Sequence, residues 1–142
     1  MARVQPSTLP YPLKLRELNK MPKILLVEDE EIIIELLQRK LNQEGYEVLV
    51  ARSGEEGLKL MKENWPNLVL LDIILPKMSG LDVLEEINKN LSLKRIPVII
   101  ISNSGQPIEL NKALKLGVKD WLIKTELEPE VLLEKIIKQV GR

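Results

Sequence analysis

The sequence predicts an α/β fold in which a doubly wound parallel sheet is covered by helices on both faces. Short segments made almost entirely of apolar residues recur along the chain, as expected for strands that are buried on both faces of a parallel sheet. Longer segments with apolar residues at helical spacing alternate with them. Because connections between parallel strands are right-handed crossovers, this alternation favours a doubly wound sheet.

The first strand and helix are predicted at residues 23–28 and 30–44. The strand is a run of apolar residues between two charged ones. In the helix, apolar residues recur at helical intervals, and Gly45 provides the kind of residue that commonly ends a helix. A second strand is predicted at residues 47–51.

The second helix has a recognisable start and end. Ser53 and Glu56 are spaced as in a capping box, in which each side chain accepts a hydrogen bond from the other residue's main-chain N–H. The helix is predicted to run to about Glu63, because Pro66 restricts the residue before it. The same alternation continues to the end of the chain, with strands predicted at residues 68–73, 97–102 and 120–124 and helices at residues 81–90, 108–116 and 130–140.

Composition excludes several classes of chemistry. The chain has 142 residues, enough for one domain, and its 21 basic residues balance its 21 acidic residues. This balance gives no attraction to nucleic acid or to a membrane surface. The absence of Cys excludes disulfides and thiolate sites, and the absence of His removes the commonest general base. Catalysis would therefore rest on carboxylates, lysines, hydroxyls and main-chain groups.

The chain divides into two parts. Residues 1–20 are rich in proline and in basic residues, which indicates an N-terminal extension that is flexible or derived from a tag, with a docking arm or an added helix as the alternative. Residues 21–142 are predicted to form a single domain. No apolar run approaches the roughly 20 residues that cross a bilayer, and we see no signal peptide, so we expect a cytoplasmic protein with no membrane partner.

Chemically active residues stand where four of the predicted strands end. The first strand ends in Glu28-Asp29-Glu30, the third in Asp72, the fourth in Ser102 and the fifth in Lys124. Because the carboxyl ends of parallel strands share one edge of the sheet, where open α/β sheets bind their ligands, we expect these side chains to converge.

These residue types suit phosphoryl transfer. Carboxylates close together repel one another and need a compensating cation, and oxygen ligands without His or Cys favour Mg²⁺ or Mn²⁺. A lysine and a hydroxyl supply donors for phosphoryl oxygens, and an aspartyl carboxylate can act as the nucleophile. Taken singly, each residue also has an ordinary explanation, since acidic residues cap helices, lysines are solvated and serines occupy turns. Only their combination indicates a site.

Four segments occur in the order of a known family's motifs: residues 24–30 (ILLVEDE), 72–80 (DIILPKMSG), 97–102 (PVIIIS) and 117–124 (GVKDWLIK). Over residues 23–140 the chain resembles the receiver domain of two-component response regulators, which are CheY-like proteins. The resemblance implies a flavodoxin-like receiver fold, with a five-stranded parallel sheet in the order 2-1-3-4-5 flanked by five helices.

The resemblance also implies a role for each site residue. Asp72 would accept a phosphoryl group from the phosphohistidine of a histidine kinase or phosphotransfer protein. Asp29 would bind Mg²⁺ directly and Glu28 through water, and Asp72 with the main-chain carbonyl of Ile74 would complete the ligands. Lys124 would pair with Asp72 or with its phosphoryl oxygens.

Two further residues would link phosphorylation to signalling. Ser102 would move inward to hydrogen-bond the phosphoryl group, and Trp121 stands where the family has an aromatic residue whose rotamer follows that movement. The signal would reach an effector protein or a second copy through helix 4, strand 5 and helix 5, at residues 109–116, 119–123 and 130–138. No DNA-binding pattern follows the last helix, so we expect no direct contact with nucleic acid and either a stand-alone regulator or part of a longer protein.

Three positions depart from the family pattern. Thr125 replaces a proline, so we expect either a trans Lys124–Thr125 peptide bond with a reshaped loop or a strained cis bond. Asn103 replaces a small residue after Ser102 and would crowd the phosphoryl group or offer it another donor. Ile74 presents no polar group to orient an attacking water, which predicts a long-lived phosphoryl-aspartate.

Two alternatives use the same residues. A pseudo-receiver would bind a partner without being phosphorylated, which Asn103 and Thr125 favour and the intact carboxylates oppose. A phosphohydrolase of the haloacid-dehalogenase type also uses a strand-end aspartate with Mg²⁺, but it carries a second acid where this chain has Ile74. We therefore interpret the chain as a phosphoacceptor signalling domain that catalyses only its own phosphorylation and dephosphorylation, and not as an enzyme with separate substrates.

Overall fold

The structure of the protein is a computed structural model that describes residues 21–103 and 107–141. The predictions made for residues 1–20 lie outside the described residues.

Five strands form one parallel sheet. They are β1 (Lys23–Val27), β2 (Glu47–Ala51), β3 (Leu68–Asp72), β4 (Val98–Ser102) and β5 (Asp120–Ile123). Their order across the sheet is β2-β1-β3-β4-β5, and every neighbouring pair is parallel. The predicted doubly wound sheet and its order are both confirmed. The winding reverses between β1 and β3, and the carboxyl ends of these two strands therefore flank the crevice in which such sheets bind ligands.

Five α-helices in the described part of the chain cover the sheet. They are α1 (Glu31–Gln43), α2 (Gly54–Asn64), α3 (Gly80–Asn88), α4 (Pro107–Lys115) and α5 (Pro129–Val140). Each begins and ends within two residues of its predicted bounds. Two short 3₁₀ helices, Leu93–Arg95 and Lys124–Glu126, were not predicted. None of the helices in this part of the chain is long and apolar enough to cross a membrane.

Three strands end one residue earlier than predicted. β1 ends before Glu28, β3 at Asp72 and β5 before Lys124, because the chain turns toward a helix or loop at these points. Glu28 is still tied to the sheet, since its N–H donates a hydrogen bond to the carbonyl of Ala51 over 2.9 Å. Glu28, Asp72 and Lys124 thus stand at the rim of the sheet.

The predicted capping box of α2 forms only in part. Oγ of Ser53 accepts a hydrogen bond from the N–H of Glu56, but the Glu56 carboxylate accepts from the N–H of Arg52 and not from that of Ser53. A complete capping box forms at the start of α3, where Ser79 and Asp82 each accept from the other's N–H. An Asp at the third helical position closes this box in place of the usual Glu or Gln.

Apolar side chains pack on both faces of the sheet. Along β1, Leu25 and Val27 belong to one core cluster and Ile24 and Leu26 to the other, because successive side chains of a strand point to opposite faces. Residues of α2, α3 and α4 cover the first face, and residues of α1 and α5 cover the second. Burial of each large apolar side chain contributes roughly 1.5–3 kcal/mol. The rim residues are therefore held on a rigid frame.

Candidate functional site

Two adjacent strands bring three carboxylates together. Val27 of β1 and Leu71 of β3 are paired, so Glu28 and Asp72, which follow them, lie side by side. Glu28, Asp29 and Asp72 each offer an oxygen that lies within 4.8 Å of the oxygens offered by the other two. Glu28 and Asp72 are buried, and Asp29 is exposed. The three acids therefore converge at the carboxyl edge of the sheet, as their positions predict.

Lys124 extends its ammonium group into this cluster. Its Nζ lies 3.1 Å from Oδ2 of Asp72, 2.8 Å from Oε1 of Glu28 and 2.5 Å from Oε1 of Glu30. The side chains of Lys124 and Asp72 are each only 4% exposed, whereas that of Glu30 is 52% exposed. One buried ammonium group therefore contacts three carboxylates.

Burial and ion pairing act in opposite directions on the charges of this cluster. Burial raises the pKa of the Asp72 carboxyl and of the Glu28 carboxyl, because desolvation outweighs the favourable contacts with Lys124. Burial alone would lower the pKa of Lys124, but the contacts with Glu28, Glu30 and Asp72 outweigh it and raise that pKa. The lysine stays charged, and the carboxylates outnumber it.

One oxygen of Glu28 lacks a well-directed hydrogen-bond donor. Oε2 accepts hydrogen bonds from the N–H groups of Asp29 and Glu30, each over 3.0 Å. Oε1 is buried, and no hydrogen bond reaches it from the described residues, since its contact with Lys124 is an ion pair without hydrogen-bond alignment. Oxygen-rich sites of this kind suit Mg²⁺ or Mn²⁺. Glu28, Asp29 and Asp72 therefore fit a hydrated divalent cation.

The loop after β3 is held against Asp72. The N–H of Ile74 donates a hydrogen bond to Oδ1 of Asp72 over 3.3 Å, while the side chain of Ile74 is 66% exposed. The two oxygens of Asp72 thus have different partners, with Ile74 beside Oδ1 and Lys124 beside Oδ2. This arrangement fixes the orientation of the carboxylate at the mouth of the site.

Ser102 and Trp121 lie at different distances from the carboxyl edge of the sheet. Asp72 pairs with Ile101 of β4, so Ser102 lies one residue farther toward the same edge, and it is buried. Trp121 pairs with Ile100, one residue before Ile101, and packs against the first core cluster. The structure therefore places Ser102 at the rim and Trp121 inside the sheet.

Two of the departures from the family pattern have a defined geometry. The Lys124–Thr125 peptide bond is trans, and Lys124 begins a 3₁₀ helix, as in the first of the two expected alternatives. Asn103 is exposed directly after Ser102.

Comparison with known proteins agrees with this geometry. Residues 24–137 match the family described as the response regulator receiver domain. This chain belongs to that family.

Relatives of this receiver domain include transcriptional regulators. The probable transcriptional regulator ycf27 of Cyanophora paradoxa is 39% identical over 108 residues, which cover 76% of this chain and 44% of the relative. The alkaline phosphatase synthesis transcriptional regulatory protein PhoP of Bacillus subtilis (strain 168) is 35% identical over 102 residues, which cover 72% of this chain and 42% of PhoP. The receiver domain thus spans about half the length of the curated relatives it matches.

A solved structure has the same fold. The CheY-like response regulator receiver domain protein from Methanospirillum hungatei JF-1 has a TM-score of 0.79 and 31% sequence identity, over 85% of this chain and 94% of that chain. Receiver domains are signalling domains of two-component systems and not classic enzymes, and they bind Mg²⁺ at an acidic cluster such as the one formed here by Glu28, Asp29 and Asp72.

Sequence reasoning missed one residue of the site in this receiver domain. Glu30 was placed at the end of the first strand and the start of the first helix and was given no role in the site, yet its carboxylate contacts Lys124. The run Glu28-Asp29-Glu30 was a usable signal, because acids at one strand end lie near the residues that end the other strands of the sheet.

Proposed function

We propose that Asp72 accepts a phosphoryl group from the phosphohistidine of a histidine kinase or phosphotransfer protein, in a reaction that requires Mg²⁺ or Mn²⁺. The observation that carries this proposal is the position of Lys124, whose Nζ lies 3.1 Å from Oδ2 of Asp72 inside an acidic cluster. Phosphoryl transfer depends almost entirely on positioning and on charge stabilisation, and these residues supply both.

In the proposed reaction, a carboxylate oxygen of Asp72 attacks the phosphorus atom of the donor. A P–O bond forms to Asp72, and the bond between phosphorus and the donor's histidine nitrogen breaks, so that the nitrogen leaves with the bonding electron pair. Lys124 stabilises the negative charge on the transferred oxygens. The N–H of Ile74 holds the other carboxylate oxygen during the attack.

Glu28, Asp29 and Asp72, with the main-chain carbonyl of Ile74, would hold the divalent cation. When bound, the cation neutralises negative charge that would otherwise repel the incoming phosphoryl group. The buried Oε1 of Glu28 supports this assignment, because it has no aligned hydrogen-bond donor among the described residues. The exposed Asp29 supports it as well, because a ligand open to solvent gives the ion a route into the site.

Phosphorylation would then change the surface that partners recognise. Ser102 would hydrogen-bond the phosphoryl group, and Trp121 would change rotamer in response. The face formed by α4, β5 and α5 would bind an effector protein or a second copy of the chain. The relatives that are transcriptional regulators support an output of this kind, since they carry the receiver sequence in about half of their length.

Intact-protein mass spectrometry tests the proposal. We expect an acyl-phosphate donor with Mg²⁺ to add one phosphoryl group to the wild type, and we expect neither the Asp72→Ala variant nor wild type treated with a chelator to gain it. No adduct under any condition would favour a pseudo-receiver, and steady turnover of a phosphate ester would favour a phosphohydrolase.

A further inference from the structure

Glu30 contacts the ammonium group on which the proposed phosphoryl transfer depends. Its Oε1 accepts a hydrogen bond from Nζ of Lys124, which also contacts the carboxylates of Glu28 and Asp72. We propose that Glu30 is a positioning residue that restrains Lys124 in the unphosphorylated protein and slows phosphorylation by competing with the phosphoryl group for this lysine. The inference rests on the proposed function of Asp72.

Crowding of carboxylates around the lysine creates the competition. Three carboxylates surround Nζ, and two of them, those of Glu30 and Asp72, accept hydrogen bonds from it. A phosphoryl oxygen on Asp72 that moves in beside Nζ must displace one of the other carboxylates, because they already contact the ammonium group. Glu28 is fully buried and its charge would be stranded, whereas Glu30 is 52% exposed and regains water when it is released. Glu30 is therefore the partner that leaves.

Charge adds to this effect. Glu30 stands at the solvent-exposed side of the cluster, beside the exposed Asp29. An incoming phosphoryl donor is an anion, so a third carboxylate near Lys124 repels it. Loss of the Glu30 charge should therefore speed phosphorylation for both reasons.

The side chain of Glu30 is not needed for the helix that follows it. Glu30 is the N-cap residue of α1, yet its side chain makes no capping hydrogen bond, and only its main-chain carbonyl accepts from the N–H of Ile34. Substitution of the side chain should therefore leave α1 and the fold in place, and thermal unfolding of each variant checks this.

The test compares Glu30→Gln with Glu31→Gln. Both variants remove one negative charge from neighbouring positions, but Glu31 pairs with Arg52 and not with Lys124. With acetyl phosphate and Mg²⁺, we expect Glu30→Gln to raise the rate of phosphorylation by about threefold to fivefold, the range of a partly exposed ion pair, and Glu31→Gln to change it by less than about twofold. Glu30→Asp keeps the negative charge but has a shorter side chain that reaches Lys124 less well. We therefore expect it to raise the rate of phosphorylation by less than Glu30→Gln does.

A double-mutant cycle shows whether the effect acts through the lysine. In a Lys124→Gln background, which reacts more slowly, the gain from Glu30→Gln should shrink to the part that comes from weaker repulsion of the donor, and an undiminished gain overturns the inference. An unchanged or lower rate in Glu30→Gln, or an equal gain from both glutamate variants, overturns the inference while wild type is still phosphorylated. Absence of phosphorylation in wild type overturns the proposed function itself, and the inference with it.

Discussion

The N–H of Gly80 donates a hydrogen bond to the main-chain carbonyl of Ile73 over 2.7 Å, and this contact closes the loop that follows Asp72. A Cβ atom on Gly80 would overlap the carbonyl oxygen of Asp72 and would lie 2.8 Å from Cα of Ile73. The start of α3 is therefore packed directly on the backbone of Asp72. Only a residue without a side chain fits at this position.

Substitution of this glycine should destabilise the end of β3. We expect Gly80→Ala to lower the free energy of unfolding by about 1–3 kcal/mol, because the added methyl group meets backbone atoms that cannot rotate away. Gly57→Ala is the matched control. Its methyl group would meet a side chain, that of Val27 at 3.0 Å, and not the backbone. Alanine also favours the helix over glycine by up to about 1 kcal/mol, which offsets the cost of this contact. Urea denaturation of both variants tests the difference, and equal costs would contradict it.

Removal of the Lys124 charge should be costly in buffer without divalent cations. Lys124→Met leaves the buried carboxylates of Glu28 and Asp72 without a cation, which should lower the free energy of unfolding by about 3–5 kcal/mol. Lys89→Met breaks an exposed pair with Glu86 and should cost less than about 1 kcal/mol. Denaturation curves measure both, and Mg²⁺ should stabilise Lys124→Met more than wild type. A cost no larger than that of Lys89→Met would refute the ion pair's role.

Neutralising Asp72 should have the opposite effect. The pKa of its carboxyl is raised by burial, so the folded protein holds a proton at pH values where the unfolded chain has released it, and stability falls as pH rises through that range. Asp72→Asn removes this penalty. We expect it to raise the free energy of unfolding at neutral pH without metal by on the order of 1 kcal/mol.

This gain should vanish as the pH falls into the usual range of carboxyl groups, where wild type is itself protonated. Thermal unfolding at several pH values measures the difference between Asp72→Asn and wild type. A gain that grows toward low pH would contradict the raised pKa.

The exposed side chain of Ile74 should control the lifetime of the phosphorylated state. The main-chain N–H of Ile74 donates a hydrogen bond to Asp72, and the exposed side chain offers no group that could orient a water for attack on phosphorus. We expect Ile74→Asn to speed loss of the phosphoryl group by about tenfold or more, and the apolar Ile74→Val to leave it unchanged. Mass spectrometry after removal of the donor measures how fast the phosphoryl group is lost. Loss within seconds in wild type would refute a long-lived phosphoryl-aspartate.

The position of the site at the sheet edge could be predicted from the order of the strands in the sequence. The contacts between its side chains could not, because they depend on how those side chains pack. Apolar runs that end in Asp72 and Lys124 were enough to predict that these residues share an edge, because parallel strands are aligned by their hydrogen bonds. The contact between Glu30 and Lys124 could not be predicted in this way. Both residues lie beyond the ends of their strands, where side-chain direction depends on how the loops fold over the edge.

The capping boxes show the same limit. Ser53 and Glu56 have the expected spacing, but the N–H of Arg52 competes successfully for the glutamate. Spacing alone defines the possible partners, and the local backbone decides which of them is reached. The box at Ser79 and Asp82 was missed because it uses an aspartate.

The most direct test of the central claim identifies the residue that carries the phosphoryl group. Wild type is treated with an acyl-phosphate donor and Mg²⁺, and borohydride then reduces any acyl phosphate on an aspartate to homoserine, which peptide mass spectrometry locates. We expect homoserine at position 72 alone, and none in a sample treated with a chelator. Homoserine at position 29 with position 72 unmodified, or no modified residue at all, would contradict the assignment of Asp72 as the phosphoacceptor.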